Sequence, residues 1–161
     1  MIQVQQFEEK YGAAVVHLIL NIQQNEFGVP ITINDQKDLI NIEGCYQKEK
    51  GNFWIALLDE KLVGTIALID IGNGEACLRK MFVEKDSRGK EFGVAMLLLN
   101  TLLHWARQKE ISAIYLGTTD VLKASHRFYE KNRFVLLPKE MLPVNFPVME
   151  VDTRFYVYYL K

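Results

Sequence analysis

Cysteine is scarce in this chain: Cys45 and Cys77 are the two among 161 residues, and both fall in segments that read as buried. That excludes a disulfide framework and suits a reducing compartment such as the cytoplasm. Long apolar runs are missing too. The richest, Val94 to Leu103, is broken by Asn100, and the amino terminus carries Glu8 and Glu9 rather than a basic stretch followed by an apolar one. No targeting segment, membrane span or membrane partner is therefore expected. No basic block is present either, and 19 Lys and Arg against 20 Asp and Glu leave a formal net charge of -1, which argues against nucleic acid as a partner. His17, His104 and His126 show no ligand spacing with the cysteines, and there is no Gly-x-Ser-x-Gly elbow, so neither a metal site nor a serine hydrolase is expected.

What is present is an ordinary globular composition, 49% hydrophobic and 24% charged. At this length one domain, residues 1-161, buries roughly two-thirds of its unfolded surface and needs no staple. Ile2, Val4 and Gln6 begin a strand, and Ala13, Val16, His17, Leu20 and Gln24 follow helical spacing. Phe27 to Ile33 reads as a loop, after which Asn34-Asp35-Gln36 caps a second helix running through Cys45. Phe53 to Leu58 and Leu62 to Ile69 form a hairpin across Asp59-Glu60-Lys61, and Asn73-Gly74 turns the chain into a third strand, Ala76 to Val83.

From Phe92 the positions Ala95, Met96, Leu99, Leu102, Leu103 and Ala106 recur at three- and four-residue steps, giving one helical face. Ile111 to Leu116 is the next strand. A helix separates it from Ala76 to Val83, so those two strands should lie parallel with a right-handed crossover. Ala124 to Lys131 reads as a helix, and the tail holds two further strand candidates around Pro138, Pro143 and Pro147. The fold class is α/β (α+β), with a mixed, mostly antiparallel sheet and flanking helices.

The informative junction is Met81-Phe82-Val83, the end of a strand, leading through Arg88-Gly89-Lys90-Glu91-Phe92-Gly93 into the helix with Val94 and Ala95. Unpaired N–H groups and the positive end of a helix dipole at such a turn suit phosphate. Gly89 and Gly93 allow the backbone to approach it, and Arg88 and Lys90 add charge. A dinucleotide-binding fingerprint is excluded, because the glycine spacing is wrong and antiparallel strands precede the loop.

Arg88 to Ala95 resembles the Arg/Gln-x-x-Gly-x-Gly/Ala loop of the GNAT superfamily of acetyl-CoA-dependent N-acetyltransferases, with Glu91 in place of the first motif glycine. Ser125 to Phe134 is similar to that family's Ala-x-x-Leu-Tyr-x-x-x-Gly-Phe helix. The resemblance spans nearly the whole chain. It implies acetyl-CoA as co-substrate, held by Met81, Phe82 and Val83 on a splayed strand, by the loop from Arg88 to Ala95, and by Ser125. It implies a small-molecule or peptide amine as acceptor and direct attack on the thioester, with Tyr129 as general acid toward the departing thiolate. The Glu91 carboxylate should face solvent, leaving its N–H to the ligand. Leu122 stands where many relatives have asparagine, and Arg133 replaces a glycine, so Asn132 or strain at Arg133 should stop the helix.

Glu75 is a candidate base, sharing a strand face with Cys77, Arg79 and Met81, and Asp120 is its rival. The first two helices should wall the acceptor pocket, which makes Glu26, Phe27, Asp35 and Gln36 candidate substrate contacts. A homodimer is compatible with this reading. The alternative is a non-catalytic acyl-CoA-binding or regulatory module of the same fold.

Overall fold

The computed structural model describes residues 1–89 and 93–161. Seven strands form one sheet in the order β1-β2-β3-β4-β5-β7-β6. They are β1 (Ile2–Gln6), β2 (Asn52–Leu58), β3 (Lys61–Gly72), β4 (Glu75–Val83), β5 (Ala113–Thr118), β6 (Val135–Leu137) and β7 (Arg154–Tyr159). The β4/β5 pair is parallel and every other pair is antiparallel. Both expected hairpin turns are built from left-handed residues: Asp59 and Glu60 have φ of 49° and 72°, and Asn73 and Gly74 have 57° and 72°. Two successive positive φ values give the twist that closes a two-residue hairpin.

Helices α1 (Gly12–Leu20) and α2 (Ile42–Tyr46) cover one face of the sheet, where Phe53, Ile55, Leu57 and Ala67 meet Val15, Ile19, Ile42 and Tyr46. Helices α3 (Val94–Gln108) and α4 (Lys123–Lys131) lie on the other face, over Trp54, Ile66, Leu68, Ala76 and Leu78. Leu98, Leu99 and Leu102 of α3 are at most 1% exposed. Each such side chain contributes about 1.5–3 kcal/mol by leaving water, so this stripe anchors the layer.

Two sequence expectations change. The single helix expected from Asn34 to Cys45 is two 3-10 turns, Ile33–Asp35 and Lys37–Ile40, followed by α2. Thr32 and Asp35 cap each other reciprocally at the first turn, and Asn41 accepts from the Gly44 N–H at the start of α2, so local side-chain bonds divide the segment. Strand β5 is shifted two residues toward the C-terminus of the expected span, to Ala113–Thr118, because Glu110 at φ 60° and the Ile111 N–H bonded to the Ala106 carbonyl complete the end of α3 first. The two strands expected in the tail are β6 and β7, with the prolines at 138, 143 and 147 in the connection between them.

Helix α4 stops as expected. Arg133 takes φ 72° and the Phe134 N–H reaches back to the Tyr129 carbonyl at 3.0 Å, while the Asn132 side chain donates to the Phe128 carbonyl at 2.8 Å. A left-handed arginine does the work usually given to glycine.

Candidate active site

Strands β4 and β5 pair over only Glu75–Ala113, Ala76–Ile114 and Cys77–Tyr115. Beyond that point β4 stays with β3 and β5 stays with β7, so the parallel pair opens into a slot. Met81, Phe82, Leu116, Thr118, Leu122, Ser125 and Tyr129 line it, and Gln23, Gln36, Arg79 and Lys80 wall its other side. The slot passes from one helical layer to the other, because Tyr129 belongs to the α3/α4 face and Cys77 to the opposite face.

A β-bulge shapes the slot. Ala67 faces Arg79 and Thr65 faces Phe82, leaving two residues of β4 opposite Ile66, and Lys80 sits at φ 54°. Strict alternation would send Arg79 and Lys80 to opposite faces. The bulge instead turns Lys80 toward the α1/α2 layer, where its Nζ donates to Gln36 Oε1 at 2.6 Å and lies 3.4 Å from Asp38. The Thr65 hydroxyl, donating to the Lys80 carbonyl at 2.6 Å, holds the strained residue. Burial lowers the Lys80 ammonium to a pKa of about 8 against the pull of Asp38.

Tyr129 is 5% exposed, packed against Phe128, Phe134 and Tyr156. No described residue hydrogen-bonds its hydroxyl, which borders the slot. Burial, with a smaller push from Cys77, raises the phenol well above its ordinary value, so it stays protonated. The Cys77 thiol, on the opposite face of the sheet, is likewise raised by burial, to about 12.

The turn before α3 forms a second cleft, lined by Val83, Arg88, Gly89, Gly93, Val94 and Ala95 together with Arg127, Phe128 and Lys131 of α4. Gly93 is the N-cap of α3 at φ 63°, and no side chain caps it. The first N–H groups of a helix lack intrahelical partners and point outward, toward a ligand if one is there. Arg88 is already engaged: its Nη1 and Nη2 meet the Glu26 carboxylate at 2.5 and 2.7 Å, and its Nε donates to the Val83 carbonyl at 2.9 Å. Lys90, Glu91 and Phe92 lie outside the described residues.

The remaining candidates divide. Gln36 reaches the slot, bonded to Gln23 and Lys80. Glu26 and Phe27 converge on Arg88, with the ring centroid of Phe27 5.7 Å from the guanidinium carbon. Asp35 is taken up by Thr32. Glu75 stands at the closed end of the strand pair and accepts the Tyr115 hydroxyl at 3.1 Å, while Asp120 is exposed; neither lines the slot. The sequence reading did not single out Lys80, Gln23 or Asp152 as site residues. Lys80 is hidden by the bulge, Gln23 carries no motif, and Asp152 arrives on the long connection before β7. Arg127 and Lys131, four apart on one helix, carried a signal that was legible.

Fold and site together define an α/β protein of the N-acetyltransferase class. The chain belongs to the acetyltransferase (GNAT) family, whose model matches residues 16–134. A GNAT-family acetyltransferase from Staphylococcus aureus Mu50 is 37% identical and superposes with a TM-score of 0.97, covering 100% of both chains. The N-acetylaspartate synthetase of Xenopus tropicalis is 41% identical over 101 residues, 60% of this chain and 36% of that protein, so the match spans about a third of the relative's length. The PaiA N-acetyltransferase of Thermoplasma acidophilum, solved in complex with coenzyme A, shares the fold at 15% identity, with a TM-score of 0.72 over 99% of both chains.

Proposed function

We propose that this protein transfers the acetyl group of acetyl-CoA to an amine. The observation that carries the reading is the opening of the β4/β5 pair beyond Cys77 and Tyr115, with the Tyr129 phenol bordering the gap. The freed edge of Met81, Phe82 and Val83 suits pairing with the pantetheine arm, and the amides at the start of α3 suit the diphosphate. Ser125 and Leu122 flank the arm. Arg127 and Lys131 supply cationic charge at the outer cleft, whereas Arg88 acts through the turn it braces against Glu26.

The neutral amine attacks the thioester carbonyl: the N–C bond forms, the C–S bond breaks, and the amine proton must leave. Tyr129 donates a proton to the departing thiolate, and the phenol is restored by the proton that the amine gives up. Asp152 is the carboxylate among the described residues that line the slot, and burial raises its carboxyl. It fits the role of proton acceptor better than Glu75, whose carboxylate is held by Tyr115 outside the slot.

The test is calorimetric titration with acetyl-CoA, followed by thiol release over a panel of amines. Saturable binding with turnover supports the reading. Binding without turnover over the whole panel favours an acyl-CoA-binding module, and absence of binding defeats both. Asp152→Asn should suppress turnover more than Glu75→Gln; the reverse order would return the base to Glu75.

A further inference from the structure

We propose that the acceptor amine carries a carboxylate, and that Arg79 is the residue that binds it. This rests on the acetyltransferase reading. Arg79 extends from β4 on the same face as Cys77, the face opposite Tyr129, so it reaches the slot from the side where an acceptor would meet the thioester. An arginine stays charged at every physiological pH, and its five donors are normally paired when it is withdrawn from water. Here the bond that its side chain makes among the described residues is to the Met149 thioether, 2.8 Å from Nη2. A thioether is a weak acceptor.

The carboxylates nearby are occupied. Asp38 accepts the Tyr46 hydroxyl and lies 3.4 Å from Lys80, and Asp152 accepts the Met149 N–H at 3.2 Å. Neither forms an ion pair with Arg79 among the described residues, so the guanidinium fork remains available to a ligand. Lys80 is the other cation here, and Gln36 and Asp38 hold it. That division leaves Arg79 to bind and Lys80 to brace.

The same surroundings select the charge of the ligand. Asp38 and Asp152 lie close enough to act on Arg79 electrostatically, and a dianionic phosphate would be repelled by both. A carboxylate carries a single charge and matches the planar fork with two parallel bonds. Amino acids and other amines bearing one carboxylate are thereby favoured over amines without an anionic group and over phosphorylated amines.

The experiment compares thiol release from acetyl-CoA for matched amines: amino acids, their carboxamides, the corresponding amines lacking the carboxyl group, and phosphorylated amines. The wild-type protein should prefer the amino acid over its carboxamide by tenfold or more in kcat/KM. In Arg79→Gln that ratio should fall toward unity through a rise in KM for the amino acid, and Arg79→Lys should restore part of it. Acetyl-CoA binding together with equal or better use of carboxamides or phosphorylated amines overturns the carboxylate assignment and leaves the acetyltransferase reading standing. No acetyl-CoA binding overturns both. The wild-type comparison needs no variant to fold.

Discussion

Arg88 and Glu26, 62 residues apart in sequence, meet as a two-pronged ion pair with distances of 2.5 and 2.7 Å. The arginine sits at the turn leading to α3 and the glutamate ends the π-helical turn Asn21–Glu26 that follows α1. The pair therefore ties the segment that walls the slot to the turn proposed to hold the diphosphate.

Glu26→Gln should cut this tie at both levels. With side chains 35% and 19% exposed, the pair lies between surface and buried cases, and its loss should cost about 1–2 kcal/mol, read as a lower urea midpoint. The acetyl-CoA Kd should rise as well. A double-mutant cycle with Arg88→Ala checks whether the two effects share one origin.

Tyr129→Phe keeps the ring among Phe134, Tyr156 and Phe128 and removes only the hydroxyl that borders the slot. Thiol release should slow by roughly a hundredfold or more, the range for a lost general acid, with little change in acetyl-CoA Kd or thermal midpoint. An unaltered rate across pH would show that the phenol donates no proton.

Cys77 should resist alkylation. A thiol with a pKa near 12 is almost wholly protonated at pH 8, so iodoacetamide should label the half-buried Cys45 first, as peptide mapping would show. The same shift has a stability consequence. The folded thiol keeps its proton through the range above pH 9 where the unfolded one loses it, so the Cys77 contribution is complete below pH 9 and declines as pH rises toward 12. Between pH 9 and 10.5 that decline is roughly 2 kcal/mol. Cys77→Ala should show a correspondingly flatter fall in urea-unfolding free energy.

Gly117→Ala tests the contact that seats Asp152. A Cβ at this position would stand 2.5 Å from Asp152 Oδ2 and 3.1 Å from Phe155 Cε1, so the carboxylate must move. Stability should drop by about 1–3 kcal/mol, the range for overpacking, and turnover should fall while acetyl-CoA affinity holds. An unchanged rate would separate Asp152 from the chemistry.

Much of the architecture was legible because it rests on local rules. Asp59-Glu60 and Asn73-Gly74 announce hairpins by turn chemistry, and the α3 stripe announces a helix by its period. The segment from Asn34 to Cys45 reads as one helix by its apolar spacing, because the short-range bonds from Thr32, Asp35 and Asn41 that compete with helical continuation leave little trace in that spacing.

The sequence by itself determined the order of elements, the glycine turn into α3 and the residue that ends α4, because each depends on neighbours a few positions away. Tertiary structure alone decided that Arg88 would be bound by Glu26, that Lys80 would turn onto the face of Arg79, and that Asp152 would reach the slot. Those outcomes depend on a bulge set by the register of β3 against β4 and on side chains meeting across long loops. Pairings between distant segments are chosen by the energy of the whole packed molecule, which no local stretch of chain encodes.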